Sequence, residues 1–127
     1  MKSYRNADLA LLLIRLGLAA IFLFHGIAKA IDLSGTAQFF SVIGLNAPIA
    51  YLVIVIETLG GLAMFLGVWP RVAGIALAIT MLGAMITVKF AKGFGGGWEF
   101  DLILFLAALA VALAGPGKYA IGKKKLG

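Results

Sequence analysis

The sequence predicts an all-α membrane protein, a four transmembrane helix bundle with a short interfacial or re-entrant helix in the first outer loop. Two observations predict this class. Of the 127 residues 63% are hydrophobic and 13% are charged, whereas charged residues make up about 25% of soluble domains. The apolar residues also form separate stretches with polar breaks between them, and about 20 apolar residues suffice to cross a bilayer.

The first predicted helix covers residues 8–30 and carries polar side chains on one face. Arg15, His25 and Lys29 fall within about a quarter of the circumference at an advance of about 100° per residue. Ionisable groups inside a span usually point into a bundle or a wet cavity, because their exposure to lipid is unfavourable. We therefore expect this face to point inward.

A signal peptide is the alternative interpretation of the same stretch. Lys2 and Arg5 form a basic region, and Ala28-Lys29-Ala30 resembles a cleavage site with small residues. The apolar segment is too long for that role and Arg15 interrupts it, so we expect a helix that the mature protein retains.

A short helix and a second span follow. Residues 36–43 lie between the capping candidate Ser34 and Gly44, and they are too few to cross a bilayer. The second span covers 47–68 and carries one charge, Glu57, near its middle.

The last two spans are predicted at 72–91 and 98–114. Lys89 lies near the end of the third span, and a glycine-rich loop separates it from the fourth. The fourth span opens with Glu99 and Asp101, and carboxylates in a first turn favour the helix dipole.

Four spans place both termini on the same side of the membrane. The positive-inside rule favours the cytoplasm for that side, because it then holds seven Lys and Arg residues against three outside. The inner set is Lys2, Arg5, Arg71, Lys118, Lys123, Lys124 and Lys125, and the outer set is Lys29, Lys89 and Lys92. Cysteines introduced at Ser3 and Gly127 should therefore be labelled from one side.

Composition also excludes several classes of function. The chain has no cysteine and one histidine, which excludes disulfides and thiolate sites and argues against a metal or haem site. The net charge of +6 is explained by topology, so we expect the lipid bilayer, and no nucleic acid, as the partner of this surface.

The charges inside the predicted membrane region form two groups. Arg15 and Glu57 lie at similar estimated depth, so we expect them to pair, since an unpaired charge there is costly. Such a pair has a purely structural alternative, in which it fixes helix packing. The other groups are expected to ring a cavity that opens outward above this pair: His25, Lys29, Lys89, Glu99 and Asp101.

In order and spacing these residues resemble the DoxX family over nearly the whole chain, which implies a single DoxX-like transmembrane domain at 1–127. The matching elements are Arg15, His25-Gly26, Lys29, 39–44, Glu57, Gly60-Gly61, Gly67, Arg71, 81–88, Gly93, Glu99 and Gly115-Pro116-Gly117.

This resemblance implies a small four-helix protein in the plasma (inner) membrane of a bacterium or archaeon. The family is named after a subunit of a thiosulfate:quinone oxidoreductase, and its members are often labelled oxidoreductases. Related proteins are tied to catechol or quinone stress and to a membrane complex with partner enzymes. Two features depart from the family: Tyr119 to Gly122 replaces a serine–aspartate ending, and Lys89 stands where some members carry histidine.

The first functional hypothesis is a redox-associated subunit that binds a quinone or a similar small aromatic. His25 and Glu57 are the candidate catalytic groups for proton transfer. The candidate ligand-binding residues are Arg15, Lys29, Lys89 and Glu99. We expect no covalently bound cofactor and no metal, so a redox partner protein must supply electrons, and a homo-oligomer is compatible with the sequence.

Two other hypotheses stay open. The protein is a non-catalytic membrane anchor or assembly factor for a partner enzyme, or it is a carrier for a small solute. The sequence does not decide whether the chain is an enzyme.

Overall fold

A computed structural model describes the backbone of residues 2–121 and the side chains of residues 6–121. The five α-helices in this part of the chain are α1 Lys2–Ala30, α2 Leu33–Val42, α3 Ala47–Leu66, α4 Pro70–Ala84 and α5 Glu99–Ala114. Four helical stretches are long and apolar enough to cross a membrane: Asn6–Ala30, Ala47–Leu66, Pro70–Lys92 and Phe94–Ala114. The predicted four-span, all-α class is confirmed. The short helix after the first span is present, but it covers Leu33–Val42 with Asp32, not Ser34, as its N-cap. The basic tail Lys123-Lys124-Lys125 lies outside the described residues.

The four long helices form a bundle in which α1 packs on α3, α3 on α4, and α4 on α5, with further contacts between α5 and α1. Its core includes Phe22, Met64, Leu77 and Val111, each at most 1% exposed. We call the end that holds the start of α1 and residues 115–121 the termini end. The opposite end, which holds α2 and residues 85–98, is the distal end.

Local chemistry determines where the helices begin and end. Residues 2–7 contain no glycine or proline, and α1 begins at Lys2 and not at residue 8 as the apolar pattern predicted. α3 ends at Leu66 because Gly67 adopts a left-handed conformation with φ 77°. α4 begins at Pro70, whose nitrogen has no hydrogen to leave unsatisfied in a first turn.

The connection between α4 and α5 is an irregular helical segment. The hydrogen-bond ladder widens to π-helical turns at Met85–Lys89 and tightens at Phe90–Lys92. The segment Phe94–Trp98 is kinked, with non-helical backbone dihedral angles at Gly95 and Gly96. Gly93 and Gly96 have φ values of 82° and 75°, which other residues rarely adopt. The chain therefore turns sharply, and Lys89 comes to face the first turn of α5.

Candidate functional site

A cavity of about 460 Å³ lies among the helices near the distal end. Its walls are mostly aliphatic and aromatic, and they include Phe22 of α1, Phe40 of α2, and Phe100 and Leu104 of α5. The polar and charged groups that line it are His25, Lys29, Glu57, Thr80, Thr87, Lys89 and Asp101. The site is thus an apolar chamber in which a few charged side chains are concentrated.

The first ion pair in this cavity joins α1 to α3. The Lys29 Nζ donates to Glu57 Oε1 at 2.8 Å. The Glu57 side chain is 5% exposed and that of Lys29 is 29% exposed, so the carboxylate is buried while the ammonium group keeps access to the cavity. The Lys29 backbone carbonyl accepts a hydrogen bond from Thr36 Oγ1 at 3.1 Å, which attaches α2 to the end of α1.

The second ion pair joins the irregular segment to α5. Lys89 Nζ donates to Asp101 Oδ1 at 3.2 Å, with the Asp101 side chain 5% exposed. The sequence predicted Asp101 in the ring of charges around the cavity, but the candidate ligand-binding residue at this helix start was Glu99. The spacing of Asp101 could have indicated that it points inward, because it lies three residues before Leu104 and seven before Ala108, on one helix face. All three residues are buried.

His25 lies one turn before Lys29 and lines the same cavity. It is an exposed side chain, and its ring meets Phe24 edge to face at a centroid distance of 5.4 Å. A second cavity of about 300 Å³ between α1 and α2 shares four residues with the first: His25, Lys29, Phe39 and Phe40. His25 therefore lies where the two cavities meet.

The predicted pair between Arg15 and Glu57 is wrong. Arg15 lies near the termini end at the level of Met64, and Met64 is seven residues, or about 10 Å of helix, from Glu57. The two residues lie at different depths because α3 ends at Leu66, near the level of Arg15, so Glu57 is about two helical turns closer to the distal end.

The Arg15 guanidinium binds backbone carbonyls and no carboxylate in the described part of the chain. It is fully buried and donates to the carbonyl oxygens of Met64 at 2.9 Å, Phe65 at 3.2 Å, Pro116 at 3.0 Å and Tyr119 at 2.7 Å. The last carbonyls of a helix have no partner within it, so Arg15 satisfies the end of α3 and holds residues 116–119 against it.

Glu99, the remaining predicted ligand-binding residue, is exposed and does not line the cavity. Its Oε2 accepts a hydrogen bond from the Gly96 backbone nitrogen at 2.6 Å, which stabilises the turn before α5. The structure thus brings His25, Glu57, Lys29 and Lys89 together and places Arg15 and Glu99 elsewhere.

Residues 6–121 contain no group of three or more histidine, aspartate or glutamate side chains close enough to hold a metal ion. The chemistry available in the cavity is hydrogen bonding, ion pairing and proton transfer by His25, the two lysines and the two carboxylates.

The fold and the cavity define a small multi-pass membrane protein with a charged chamber among its helices. The chain belongs to the DoxX family, whose model matches residues 10–90. It is 40% identical over 111 residues to a Bacillus subtilis (strain 168) protein named "Putative oxidoreductase CatD". These aligned residues are 87% of this chain and 83% of that protein.

A second relative is the "Inner membrane protein YqjF" of Escherichia coli (strain K12). It is 29% identical over 119 residues, which is 91% of this chain and 92% of the relative. No solved structure shows significant similarity to the chain.

Proposed function

We propose that the protein is a redox-associated membrane subunit that binds a quinone or a similar small aromatic in the distal cavity. The observation that supports this most directly is the cavity itself, with about 460 Å³ of space. Small-molecule sites usually enclose about 300–1,000 Å³ between apolar walls and carry a few polar groups that fix the orientation of the ligand.

The lining residues suit a ring that carries oxygen atoms. Phe22 and Phe40 offer aromatic surface to the ring. A lysine ammonium group has three N–H donors, and Lys29 uses one of them on Glu57. Its other donors are free to bind a quinone carbonyl oxygen without breaking the ion pair.

Reduction of a quinone to a hydroquinone consumes two electrons and two protons. His25 and Glu57 are the groups that move protons in this proposal, because both line the cavity and Glu57 is bound to Lys29, one helical turn after His25. The chain has no cysteine and a single histidine, so a partner redox protein supplies the electrons. The Bacillus relative's name, which includes the word oxidoreductase, agrees with this role.

The proposal includes an orientation, with both termini in the cytoplasm and the distal cavity near the outer face. The positive-inside rule supports it, since the predicted topology assigns seven Lys and Arg residues to the side of the termini and three to the other side. The name of the Escherichia coli relative agrees with an inner membrane location.

Tryptophan fluorescence tests binding. Trp98 lies at the distal end, in edge contact with Phe90 and Phe94, and it directly precedes Glu99 and the cavity-lining Phe100. Trp69, the other tryptophan, lies at the termini end. A water-soluble benzoquinone should quench Trp98 saturably in a Trp69→Phe variant, because quinones quench nearby indoles.

The matched control is Trp98→Phe, which leaves only Trp69. Quenching of that variant should rise linearly with quinone concentration, as random collision requires. Linear quenching in both variants would contradict a quinone site at the distal end.

A further inference from the structure

The charges that line the distal cavity cancel. Lys29 and Lys89 supply two positive charges and Glu57 and Asp101 supply two negative charges, with histidine counted as uncharged. We propose that this balance makes the cavity selective for uncharged ligands, and that Glu57 and Asp101 are the residues that determine this selectivity. The inference rests on the proposed function, because it concerns the same cavity and narrows the class of its ligand.

Burial explains why the balance matters. The two carboxylates are each 5% exposed, and their lysine partners are 29% and 31% exposed. An anion that bound one of the lysines would compete with the buried carboxylate already paired with it. One lysine would then face two negative charges, and either the anion or the carboxylate would be left without a partner between apolar walls. Unpaired charges in such surroundings are strongly unfavourable. A neutral carbonyl or hydroxyl group accepts from the remaining lysine N–H donors and leaves both ion pairs intact.

Other charged groups at the distal end are engaged elsewhere or lie outside the cavity. The Glu99 carboxylate binds the Gly96 nitrogen. Asp32 accepts from the Gly35 nitrogen at the start of α2, and Lys92 is exposed and does not line the cavity. The charge that a ligand meets inside the cavity is therefore set by the two ion pairs.

The test compares gentisamide, an uncharged hydroquinone amide, with gentisate, in which a carboxylate of nearly the same size replaces the amide. Equilibrium dialysis of the purified full chain at about pH 8, above the ordinary titration range of histidine, gives both dissociation constants. The unmodified protein should bind gentisamide at least about tenfold more tightly than gentisate, because the gentisate carboxylate would meet no unpaired cation between the apolar walls.

Three variants test whether the charges in the cavity cause the preference for gentisamide. Glu57→Gln and Asp101→Asn each leave one lysine without its partner, so each should shift the affinity ratio at least about tenfold toward gentisate. Glu99→Gln is the matched control, since it also removes one negative charge but from outside the cavity, and its ratio should stay within about twofold of the parent.

The double variant Lys29→Gln/Glu57→Gln separates charge from packing. It removes both members of one ion pair and restores neutrality, so the preference for gentisamide should return. A purely structural role for Glu57 predicts instead that the double variant prefers gentisamide over gentisate no more strongly than Glu57→Gln does. If Glu57→Gln fails to fold, Asp101→Asn with Lys89→Gln/Asp101→Asn provides the same comparison at the second pair.

The outcomes distinguish this inference from the proposed function. If gentisamide binds but the ratio is insensitive to Glu57 and Asp101, the charge-balance inference is wrong and the site remains. If neither compound nor the benzoquinone binds the unmodified protein, the proposed function fails as well.

Discussion

Arg15 shows how one buried side chain organises an end of the bundle. Each of its hydrogen bonds goes to a backbone carbonyl, at the end of α3 or in residues 116–119. Arg71 makes a similar contact at the end of α5, where it donates to the carbonyls of Ala112 and Leu113. Both arginines thus satisfy helix ends, but Arg15 is fully buried whereas Arg71 is exposed.

Arg15→Met should lower the free energy of unfolding by at least about 3 kcal/mol, because several buried carbonyls lose a charged donor. Arg15→Lys should not restore stability, since an ammonium group cannot reproduce the planar guanidinium contacts. The loss should exceed that of Arg71→Met, and thermal unfolding in detergent measures both.

A double-mutant cycle tests which charges are coupled. The losses in free energy of unfolding caused by Arg15→Met and Glu57→Gln should be additive within about 0.5 kcal/mol, since the two residues share no contact. Lys29→Met and Glu57→Gln should be non-additive, because each single change leaves a partly buried charge without its partner. Coupling of Arg15 with Glu57, and none of Lys29 with Glu57, would contradict the observed geometry.

For single residues, the sequence predicted which side chains of α1 point inward better than it predicted the groups that they contact. Periodicity placed His25 and Lys29 on one face, and the cavity contains both. It could not predict the partner of Arg15, because backbone carbonyls have no sequence signature and the returning tail is non-local. The sequence could not distinguish Asp101 from Glu99, because both carboxylates lie near the same helix start and both suit the helix dipole.

At the scale of elements, glycine sets the approach of α1 to α3. A Cβ atom added at Gly26 would lie 2.8 Å from the Thr58 backbone nitrogen and would also clash with the Thr58 hydroxyl oxygen. A Cβ atom at Gly61 would lie 2.9 Å from the Leu23 nitrogen. Small residues at these positions let the two backbones nearly touch, which brings Lys29 within reach of Glu57.

Gly26→Ala should therefore separate the helices and destabilise the protein by about 1–3 kcal/mol, as overpacking usually does. Gly17→Ala is a control in the same helix, because a Cβ atom there meets nothing within 4 Å, and it should be neutral or stabilising. Thermal unfolding midpoints in detergent compare the two. Equal losses would mean that the crossing at Gly26 is not a tight contact.

The helix spans were predictable because apolar length and glycine or proline breaks directly reflect the bilayer and the helix ends. The irregular turns between Met85 and Trp98 were not, since π-helical turns have no clear sequence pattern. That segment is also the one that places Lys89 against Asp101. The hardest part of the fold to predict thus positions part of the site.

At the scale of the whole molecule, the two ends of the bundle have different chemistry. The termini end uses Arg15 and Arg71 to satisfy backbone carbonyls. The distal end uses lysine–carboxylate pairs around an open chamber. Side chains leave a space of about 460 Å³ between the helices at the distal end, and this space is the feature on which the proposed ligand site rests. The orientation of the two ends across the membrane stays a prediction.

Filling the chamber is the most direct test of a binding site at the distal end. Gly83 lines the cavity, and a Cβ atom there meets nothing within 4 Å, so Gly83→Phe adds a ring without a backbone clash. Gly17→Phe adds the same ring to α1 outside the cavity. The dissociation constant of gentisamide, measured by equilibrium dialysis, should rise at least about tenfold in Gly83→Phe, because the ring occupies the space that the ligand needs. It should be unchanged in Gly17→Phe. Unchanged affinity in a folded Gly83→Phe variant would contradict the account.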